Sequence, residues 1–404
     1  MARYLARPVD PVIPDRGISM TLRVLIGLPS FNGADTIGKV VSDIDAALRT
    51  LPFPVEATHL NADSSSVDGT TGAFLSTPTH YPKKVIKTGY WSGQGANGKA
   101  ILEAAHSEGV DATLIVDTDL AAVDYTWVHA LIGGVHTGRD FVYPLRPPTW
   151  NGGDLTYQLT YPLLAGASGV DLREPLCGDL ALSASAVRAV LEADWTADDL
   201  RFGFHVLVAS TAVANNWTAA RLEVRRRNPL RSFGPRPAGE FRMGGKFAET
   251  STSVRHHIRR IAREVVLDRW TPSPAETPID STFIVPARDP DIKRLARTTA
   301  HQLREDVRNA QLDCFPAPLR DQLVEHALGE AELGMNWELW RECLFVWLTA
   351  DDDKQIPVDT LETLFLNRAV GHHTEIADRP DWYSTVLAQA RDVFAHRDRF
   401  TGAP

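Results

Sequence analysis

The N-terminal third of the chain alternates short apolar runs with segments of helical periodicity. In one such segment, residues 34–51, the apolar residues recur every three or four positions and so share one helical face. Four apolar runs have the length of a strand: 22–30, 55–63, 83–89 and 112–119. Strands separated by single helices predict βαβ units and therefore a mostly parallel sheet flanked by helices. We expect an α/β fold of the Rossmann-like type.

Beyond residue 125 the pattern becomes more helical. Strands are predicted only at 140–146 and 220–228, and residues 176–193 are predicted to form a turn followed by a helix. Nearly every segment from 291 onward has helical periodicity. We therefore expect five parts: a flexible leader at 1–20, a strand-rich half of an α/β domain at 21–125, its more helical half at 126–270, a proline-rich linker at 271–290, and a helical C-terminal domain at 291–404 whose role is packing or dimerisation.

Composition narrows the class of protein. The chain has 404 residues, a net charge of −9 and three cysteines, Cys177, Cys314 and Cys343, that form no CxxC pair. An acidic chain argues against nucleic acid as a partner, and the sparse cysteines suit a reducing cytoplasm. No apolar run has the length of a membrane span, and 1–19 lacks the apolar core of a signal peptide. We expect a cytoplasmic protein, and the excess of Arg over Lys indicates a bacterial source.

Polar side chains follow three of the predicted strands. Pro29-Ser30 ends the first, Asp63 ends the second, and Asp117-Thr118-Asp119 ends the fourth. In a parallel sheet these strand ends meet along one edge, which is where ligands bind. Two carboxylates beside substrate phosphates suit Mg²⁺ or Mn²⁺. A D-x-D sequence alone is weak evidence, since many such pairs lie in solvated loops.

The ordered motifs "GLPSFNGADTIG" (27–38), "NADSSSVDGT" (61–70) and "DTDL" (117–120) resemble those of GT-A glycosyltransferases of the family 2 type. Residues 161–195 further resemble the retaining glucosyl-3-phosphoglycerate synthase and mannosylglycerate synthase group. This resemblance covers 22–260 well and the C-terminal region loosely. It implies a transferase that moves a sugar from a nucleotide-diphospho-sugar, with GDP favoured over UDP, to a small polar acceptor with retention and divalent-metal assistance. A catalytically degenerate nucleotide-binding scaffold is the alternative, whereas a dehydrogenase is disfavoured because G-x-G-x-x-G does not follow the first strand.

The resemblance makes 21–125 the nucleotide-binding half and 126–270 the sugar- and acceptor-binding half of a GT-A catalytic domain. It also implies roles for individual residues. Asp119 would be the main metal ligand, and Asp117 would face the ribose or the metal. Gly178 and Asp179 would face the sugar or the acceptor, although Asp179 could instead cap a helix that begins near Leu180. The residues expected to bind the nucleotide are Pro29, Ser30, Asn32, Asp63, Lys99, Asp117 and Thr118.

Four positions depart from the family pattern. The glutamate expected after Asn32 is missing, and Asp35 either substitutes for it or caps the following helix. The lysine expected in a G-K-G-N-A loop is displaced to Lys99, from which its long side chain could still reach a phosphate. His205 replaces an acidic residue and is a metal ligand, an acceptor-site group or a core histidine. Arg227 replaces a metal-binding histidine; arginine cannot ligate a metal, so Arg227, with Arg225, is predicted to neutralise the diphosphate directly. Arg225 is also a candidate sugar- and acceptor-site residue, which would hold an anionic acceptor. These departures suggest a specialised enzyme with an unusual sugar or a thiol acceptor, and we expect a homodimer.

Overall fold

The structure is a computed structural model of the whole chain. It describes residues 21–89, 93–120, 122–145, 153–217, 219–223, 245–264, 270–271, 290–351, 354, 356–377, 379 and 382–401. The predicted leader, most of the predicted linker, and Arg225 and Arg227 lie outside these residues.

Within the described residues seven strands form one sheet in the order β3-β2-β1-β4-β6-β5-β7. The strands are β1 Leu22–Ser30, β2 Val55–Asp63, β3 Lys83–Lys87, β4 Ala112–Ile115, β5 Phe141–Leu145, β6 Leu180–Ser183 and β7 Ala219–Glu223. Only β6 runs antiparallel to its neighbours, β4 and β5. The predicted α/β class with a mostly parallel sheet is confirmed. The turn-to-helix prediction for 176–193 was wrong in part, because a strand precedes the helix there.

Helices cover both faces of the sheet and make up the C-terminal region. They are α1 Ile37–Leu48, α2 Thr70–Ser76, α3 Gln94–Glu108, α4 Tyr125–His136, α5 Tyr161–Ser168, α6 Ala184–Leu191, α7 Phe204–Ala214, α8 Gly245–Glu264, α9 Pro290–Arg308, α10 Ala317–Gly329, α11 Trp337–Thr349, α12 Val358–Ile376, α13 Trp382–Ala395 and α14 Asp398–Thr401, with a π-helix at Leu155–Thr160. In the part of the chain that is described, no helix combines the length and apolarity needed to cross a bilayer.

The alternation of side chains along β1 divides the core into two layers. Val24, Ile26 and Leu28 pack into a cluster with residues of α1 and α4, whereas Leu25 packs into the cluster on the opposite face with residues of α3. Successive side chains of a strand point to opposite faces, so a strand covered by helices on both sides is apolar throughout. This burial fixes the sheet edge at which the polar strand ends emerge.

The apolar cluster on the α3 face of the sheet continues into the C-terminal helices, where it includes Trp340 and Phe365. Arg368 of α12 is fully buried and donates to Gln158 Oε1 at 2.8 Å, to Met335 O at 2.7 Å and to the carboxylate of Glu375 at 2.6 Å. Gln158 belongs to the π-helix. The C-terminal helices therefore hold the segment that leads toward Gly178 and Asp179, and the expected domain division stays a prediction.

Candidate active site

The ends of β1, β2 and β3 lie side by side at one edge of the sheet. Ser30 is paired in register with Asp63, and Asp63 with Lys87. On its other side β1 pairs with β4. Successive strands are therefore added on one side of β1 up to β3 and on the opposite side from β4 onward, which makes the gap between β1 and β4 a topological switch point. The Thr118 hydroxyl donates to Pro29 O at 2.9 Å across this point. A crevice at such a switch point is the usual ligand site of an open α/β sheet.

Asp117 is held by groups from two distant segments. Its backbone N–H donates to Asp179 Oδ1 at 2.9 Å, and the Gln94 side-chain amide donates to Asp117 Oδ1 at 3.0 Å. Gly178 lies directly against the same carboxylate, since a Cβ on Gly178 would lie 2.3 Å from Asp117 Oδ2. The structure therefore brings together Asp117, Gly178 and Asp179, which the sequence predicts to share a site.

Asp179 does not cap a helix. Leu180 begins strand β6, and helix α6 begins at Ala184, where the hydroxyl of Ser183 accepts the backbone N–H of Ala186. The capping alternative for Asp179 was therefore wrong. Its fully buried carboxylate instead fixes the backbone of Asp117.

Asp119 lies two residues further along the same turn and is half-buried. Among the described residues no group of three or more His, Cys, Asp and Glu side chains is placed to hold a metal. Two carboxylates nevertheless fit Mg²⁺ or Mn²⁺, because these ions are commonly bound by one or two carboxylates together with substrate phosphates. The residues that would hold such an ion are Asp117 and Asp119.

Asn97 ties the three strand ends together, although the sequence gives no signal for it beyond its place near the start of α3. Its side-chain amide donates to Ser30 O at 3.3 Å, and its Oδ1 accepts the hydroxyls of Ser64 at 3.1 Å and Thr88 at 2.5 Å. Asn97 is 2% exposed. The first turn of α3 thus positions the whole edge, with Gln94 at Asp117.

Asn32 orders the turn after β1. It has a φ of 51°, its backbone N–H donates to the Ser66 hydroxyl at 2.8 Å, and its Oδ1 accepts the backbone N–H of Val67 at 3.2 Å. Asparagine tolerates the left-handed conformation better than most residues. The turns after β1 and β2 therefore form one surface beside the predicted nucleotide site.

The carboxylate of Asp63 is enclosed by donors. Oδ1 accepts the Ser66 backbone N–H at 3.0 Å and the Ser66 hydroxyl at 2.5 Å. Oδ2 accepts the Thr71 hydroxyl at 2.7 Å and forms an ion pair with Lys87. Burial alone raises the pKa of Asp63, but the bonds from Lys87, Ser66 and Thr71 outweigh it and lower the pKa to about 2. The side chain is 0% exposed, so the predicted contact with the base would require one of these donors to move.

Lys99 and His205 lie in other surroundings. The Lys99 ammonium is 5.2 Å from the centroid of the Trp195 ring. Two residues correspond to about 200° around a helix, so Lys99 points away from the face that carries Asn97. His205 is 3% exposed at the start of α7 and contacts the rings of Phe202 and Phe204. Of the alternatives for His205, these contacts favour the core histidine, and the phosphate role of Lys99 stays a prediction.

A buried polar cluster behind α3 was not predicted. Asp199 is fully buried, and its carboxylate contacts His257 Nε2 at 3.1 Å and accepts the Ser253 hydroxyl at 2.6 Å. Burial raises the pKa of Asp199, but the hydrogen bond and charge of His257, with Ser253 and the Thr196 backbone, lower it overall. Adjacent residues on a helix are about 100° apart, so His256 and His257 cannot chelate one ion together and are predicted to make surface or loop contacts. His256 is part-exposed, but His257 is buried, so this prediction was wrong for His257.

This cluster fixes the segment against which α3 begins. The backbone N–H groups of Gly95 and Ala96 donate to the carbonyls of Arg201 and Leu200 at 2.9 and 2.7 Å. A Cβ on Gly95 would lie 1.9 Å from Asp199 O, so only glycine fits there. The position of Gln94 beside Asp117 therefore depends on contacts that begin at α8.

Solved structures are similar to part of this chain, at low sequence identity. No family model matches the sequence, and no curated protein is similar to it. Similar solved structures include glucosyl-3-phosphoglycerate synthase from Mycobacterium tuberculosis in complex with Mg²⁺ and UDP, at 18% identity and a TM-score of 0.44 over 59% of this chain and 79% of that one. The same enzyme with Mn²⁺, UDP-glucose and phosphoglyceric acid gives 18% identity and a TM-score of 0.43 over 59% and 80%. Mannosyl-3-phosphoglycerate synthase from Rubrobacter xylanophilus gives 21% and 0.41 over 64% and 79%.

Proposed function

We propose that this protein is a glycosyltransferase that moves a sugar from a nucleotide-diphospho-sugar to a small polar acceptor. The main evidence for this proposal is that Asp117, at the switch point between β1 and β4, is held in place by contacts from distant segments. Its backbone is held by Asp179 and its carboxylate by Gln94, while Gly178 leaves no room beside it. A solvated D-x-D loop needs none of these contacts.

The nucleotide would lie across the ends of β1, β2 and β3, and its diphosphate would lie at β4. In this arrangement Pro29, Ser30, Asn32 and Thr118 line the nucleoside. Asp117 and Asp119 then lie at the diphosphate, since they follow β4 directly. The sugar would extend from the diphosphate toward Gly178 and Asp179.

The chemistry requires stabilisation of the negative charge that develops on the leaving phosphate. When bound, a divalent ion supplies this as a Lewis acid. The contribution of this chain is to hold the carboxylate of Asp117 in place before the donor arrives, with Asp119 two residues further along the same turn. Asp179 supports Asp117 by accepting its backbone N–H.

Several finer assignments remain part of the proposal. The reaction proceeds with retention of the anomeric configuration of the sugar, and the acceptor lies beside Gly178 and Asp179. Arg225 and Arg227, outside the described residues, assist the leaving diphosphate. Cytoplasmic location, a homodimer and an unusual sugar or thiol acceptor also stay predictions. The alternative is a nucleotide-binding scaffold without turnover, which the same support of Asp117 would permit.

The test is a thermal-shift series with GDP, UDP, ADP and NAD, each with and without Mn²⁺, followed by donor turnover. We expect a Mn²⁺-dependent shift with a nucleoside diphosphate. Asp119→Asn should abolish turnover and the Mn²⁺ dependence, whereas Asp124→Asn is the matched control, since Asp124 caps α4 and asparagine caps equally well. Stabilisation by NAD alone would refute the transferase. Nucleotide binding without turnover of any donor would favour the scaffold.

A further inference from the structure

The first turn of α3 lies directly against residues 199–201. A Cβ would lie 2.8 Å from one carbonyl oxygen of this segment at Gly93 and 1.9 Å from another at Gly95, so no side chain fits between the two backbones. Gln94 lies between these two glycines, and its side-chain amide donates to Asp117 Oδ1 at 3.0 Å. The position of residues 199–201 therefore sets the position of the amide that holds the Asp117 carboxylate.

Asp199 anchors this segment through its buried carboxylate. Oδ1 accepts the Ser253 hydroxyl at 2.6 Å, and Oδ2 accepts the Thr196 backbone N–H and hydroxyl, each at 2.8 Å. Nε2 of His257 lies 3.1 Å from Oδ2, and it carries the proton because a carboxylate only accepts hydrogen bonds. Ser253 and His257 lie one turn apart on the same face of α8, and both are 0% exposed. Two of the groups that hold Asp199 therefore come from α8, 54 and 58 residues away along the chain.

Helix α8 is itself fixed to the C-terminal helices. The guanidinium Nε of Arg255 donates to Trp347 O at 3.0 Å, and that of Arg259 donates to Leu348 O at 2.7 Å. These carbonyls belong to the last turn of α11, where backbone oxygens have no acceptor role within the helix. A continuous set of contacts thus runs from α11 through α8 and Asp199 to the first turn of α3.

We propose that Asp199 and His257 are positioning residues for the proposed active site. The pair holds residues 199–201 against α3 and so keeps the Gln94 amide at the carboxylate of Asp117. This rests on the proposed function, and neither residue touches the donor or a metal, since both are fully buried. A buried carboxylate–imidazole pair contributes little net stability, because removing its members from water offsets their attraction. Its consequence in this fold is geometric: it fixes where the first turn of α3 lies.

Hydrogen exchange of the Gly95 and Ala96 amides tests the first step of this proposal in the protein without ligand. Both amides donate to carbonyls of residues 199–201. His257→Leu removes a donor to a carboxylate, a kind of contact whose loss should let these amides exchange at least about tenfold faster. The amides of β1 are the reference, because they exchange by global unfolding. We expect Gly95 and Ala96 to exchange faster relative to β1.

Two further variants at neighbouring positions control this measurement. His257→Gln keeps a side-chain donor that can reach the same carboxylate, and it should recover most of the protection. His256→Leu is the matched control one residue earlier, because the His256 side chain is 38% exposed and contacts Asp194 instead of Asp199. In this variant the Gly95 and Ala96 amides should exchange as in the unmodified protein.

A double-mutant cycle tests whether His257 acts through Gln94. Calorimetry measures the binding of GDP and of UDP with Mn²⁺. We expect His257→Leu to weaken the binding by about threefold to tenfold, the upper value being that expected for Gln94→Leu itself. In the Gln94→Leu background the same substitution should change the affinity less than about twofold, because the amide through which it acts is absent. A full second loss in that background would overturn the proposal, since independent effects add.

The remaining outcomes also decide between the alternatives. Equal acceleration of exchange at Gly95, Ala96 and β1 would show only lost stability and would overturn the proposal, as would an unchanged affinity in a folded His257→Leu protein. If that variant does not fold, Ser253→Ala removes another donor to the same carboxylate, and the same two measurements apply to it. If the unmodified protein binds neither nucleotide with Mn²⁺, the proposed function fails, while the exchange measurement still decides whether the pair positions α3.

Discussion

Gly178→Ala is the most direct test of the contact between Gly178 and the carboxylate of Asp117. The added Cβ would lie 2.3 Å from Asp117 Oδ2, 2.9 Å from Cγ and 3.0 Å from Oδ1. Real Cβ atoms essentially never approach closer than 3.0 Å, so Oδ2 must move by at least 0.7 Å. The carboxylate cannot turn freely, because Oδ1 accepts the amide of Gln94 and the backbone of Asp117 is held by Asp179.

The expected effect follows from this displacement. A misplacement of about 1 Å in a catalytic arrangement lowers a rate by about 10²-fold, so we expect turnover to fall between tenfold and a hundredfold. Overpacking of this kind also costs about 1–3 kcal/mol of folding free energy, which would lower the melting temperature by a few degrees. The loss of activity should therefore greatly exceed the loss of folded protein at the assay temperature.

The assay combines donor turnover, Mn²⁺ binding in the presence of GDP, and thermal unfolding. The control is Gly133→Ala in α4, where a Cβ meets nothing within 4 Å. Alanine in a helix interior should stabilise the protein by about 0.5–1 kcal/mol and leave turnover unchanged. A folded Gly178→Ala protein with unchanged turnover and Mn²⁺ affinity would show that the position of the Asp117 carboxylate does not matter for the reaction.

Two further predictions concern the contact of Gln94 with Asp117 and that of His373 with Asp154. Gln94→Leu removes the amide that donates to Asp117 Oδ1 at 3.0 Å. Because hydrogen bonds to charged groups contribute about 1.5–3 kcal/mol, this variant should bind Mn²⁺–GDP about tenfold more weakly. An unchanged affinity in calorimetry would contradict this prediction. Burial lowers the pKa of His373, but the charge of Asp154 at 3.2 Å raises this pKa overall. The stabilising contribution of the His373–Asp154 pair is therefore complete below the unfolded pKa of about 6.5, and it is lost as pH rises through the folded pKa. Denaturant unfolding from pH 6 to 8.5 should show this loss in the unmodified protein and a smaller one in His373→Gln; equal slopes would refute it.

The apolar strands were predictable because burial on two faces leaves no polar position within them. The predicted bounds 22–30 and 55–63 coincide with β1 and β2. The run at 112–119 was predicted four residues too long. The ladder between β4 and β1 ends at Ile115, and Val116 N makes one more bond, to Gly27 O, before the chain turns into Asp117. The polar residues that mark the site are also those that end the strand.

Strand β6 was missed because its sequence does not distinguish it from a helix. Leu180–Ser183 is four residues long, and its apolar residues continue into the helical spacing of α6. A short apolar run cannot be assigned from periodicity alone. Its antiparallel direction follows from pairing with β4, from Ala112↔Ser183 to Ile115↔Leu180, which is a contact between segments far apart in sequence. That pairing is also what brings Gly178 and Asp179 to Asp117.

The carboxylates of the site were predictable from local sequence, whereas the contacts that support them were not. Asp117 and Asp119 are marked locally, by their place after an apolar strand. Gln94 and Asp179 reach Asp117 from 23 and 62 residues away, and no local pattern indicates either contact. The departure from the family pattern near residue 99 therefore has a different meaning in the structure. The first turn of α3 contributes the Gln94 amide, which orients the carboxylate of Asp117, and the phosphate role of Lys99 stays a prediction.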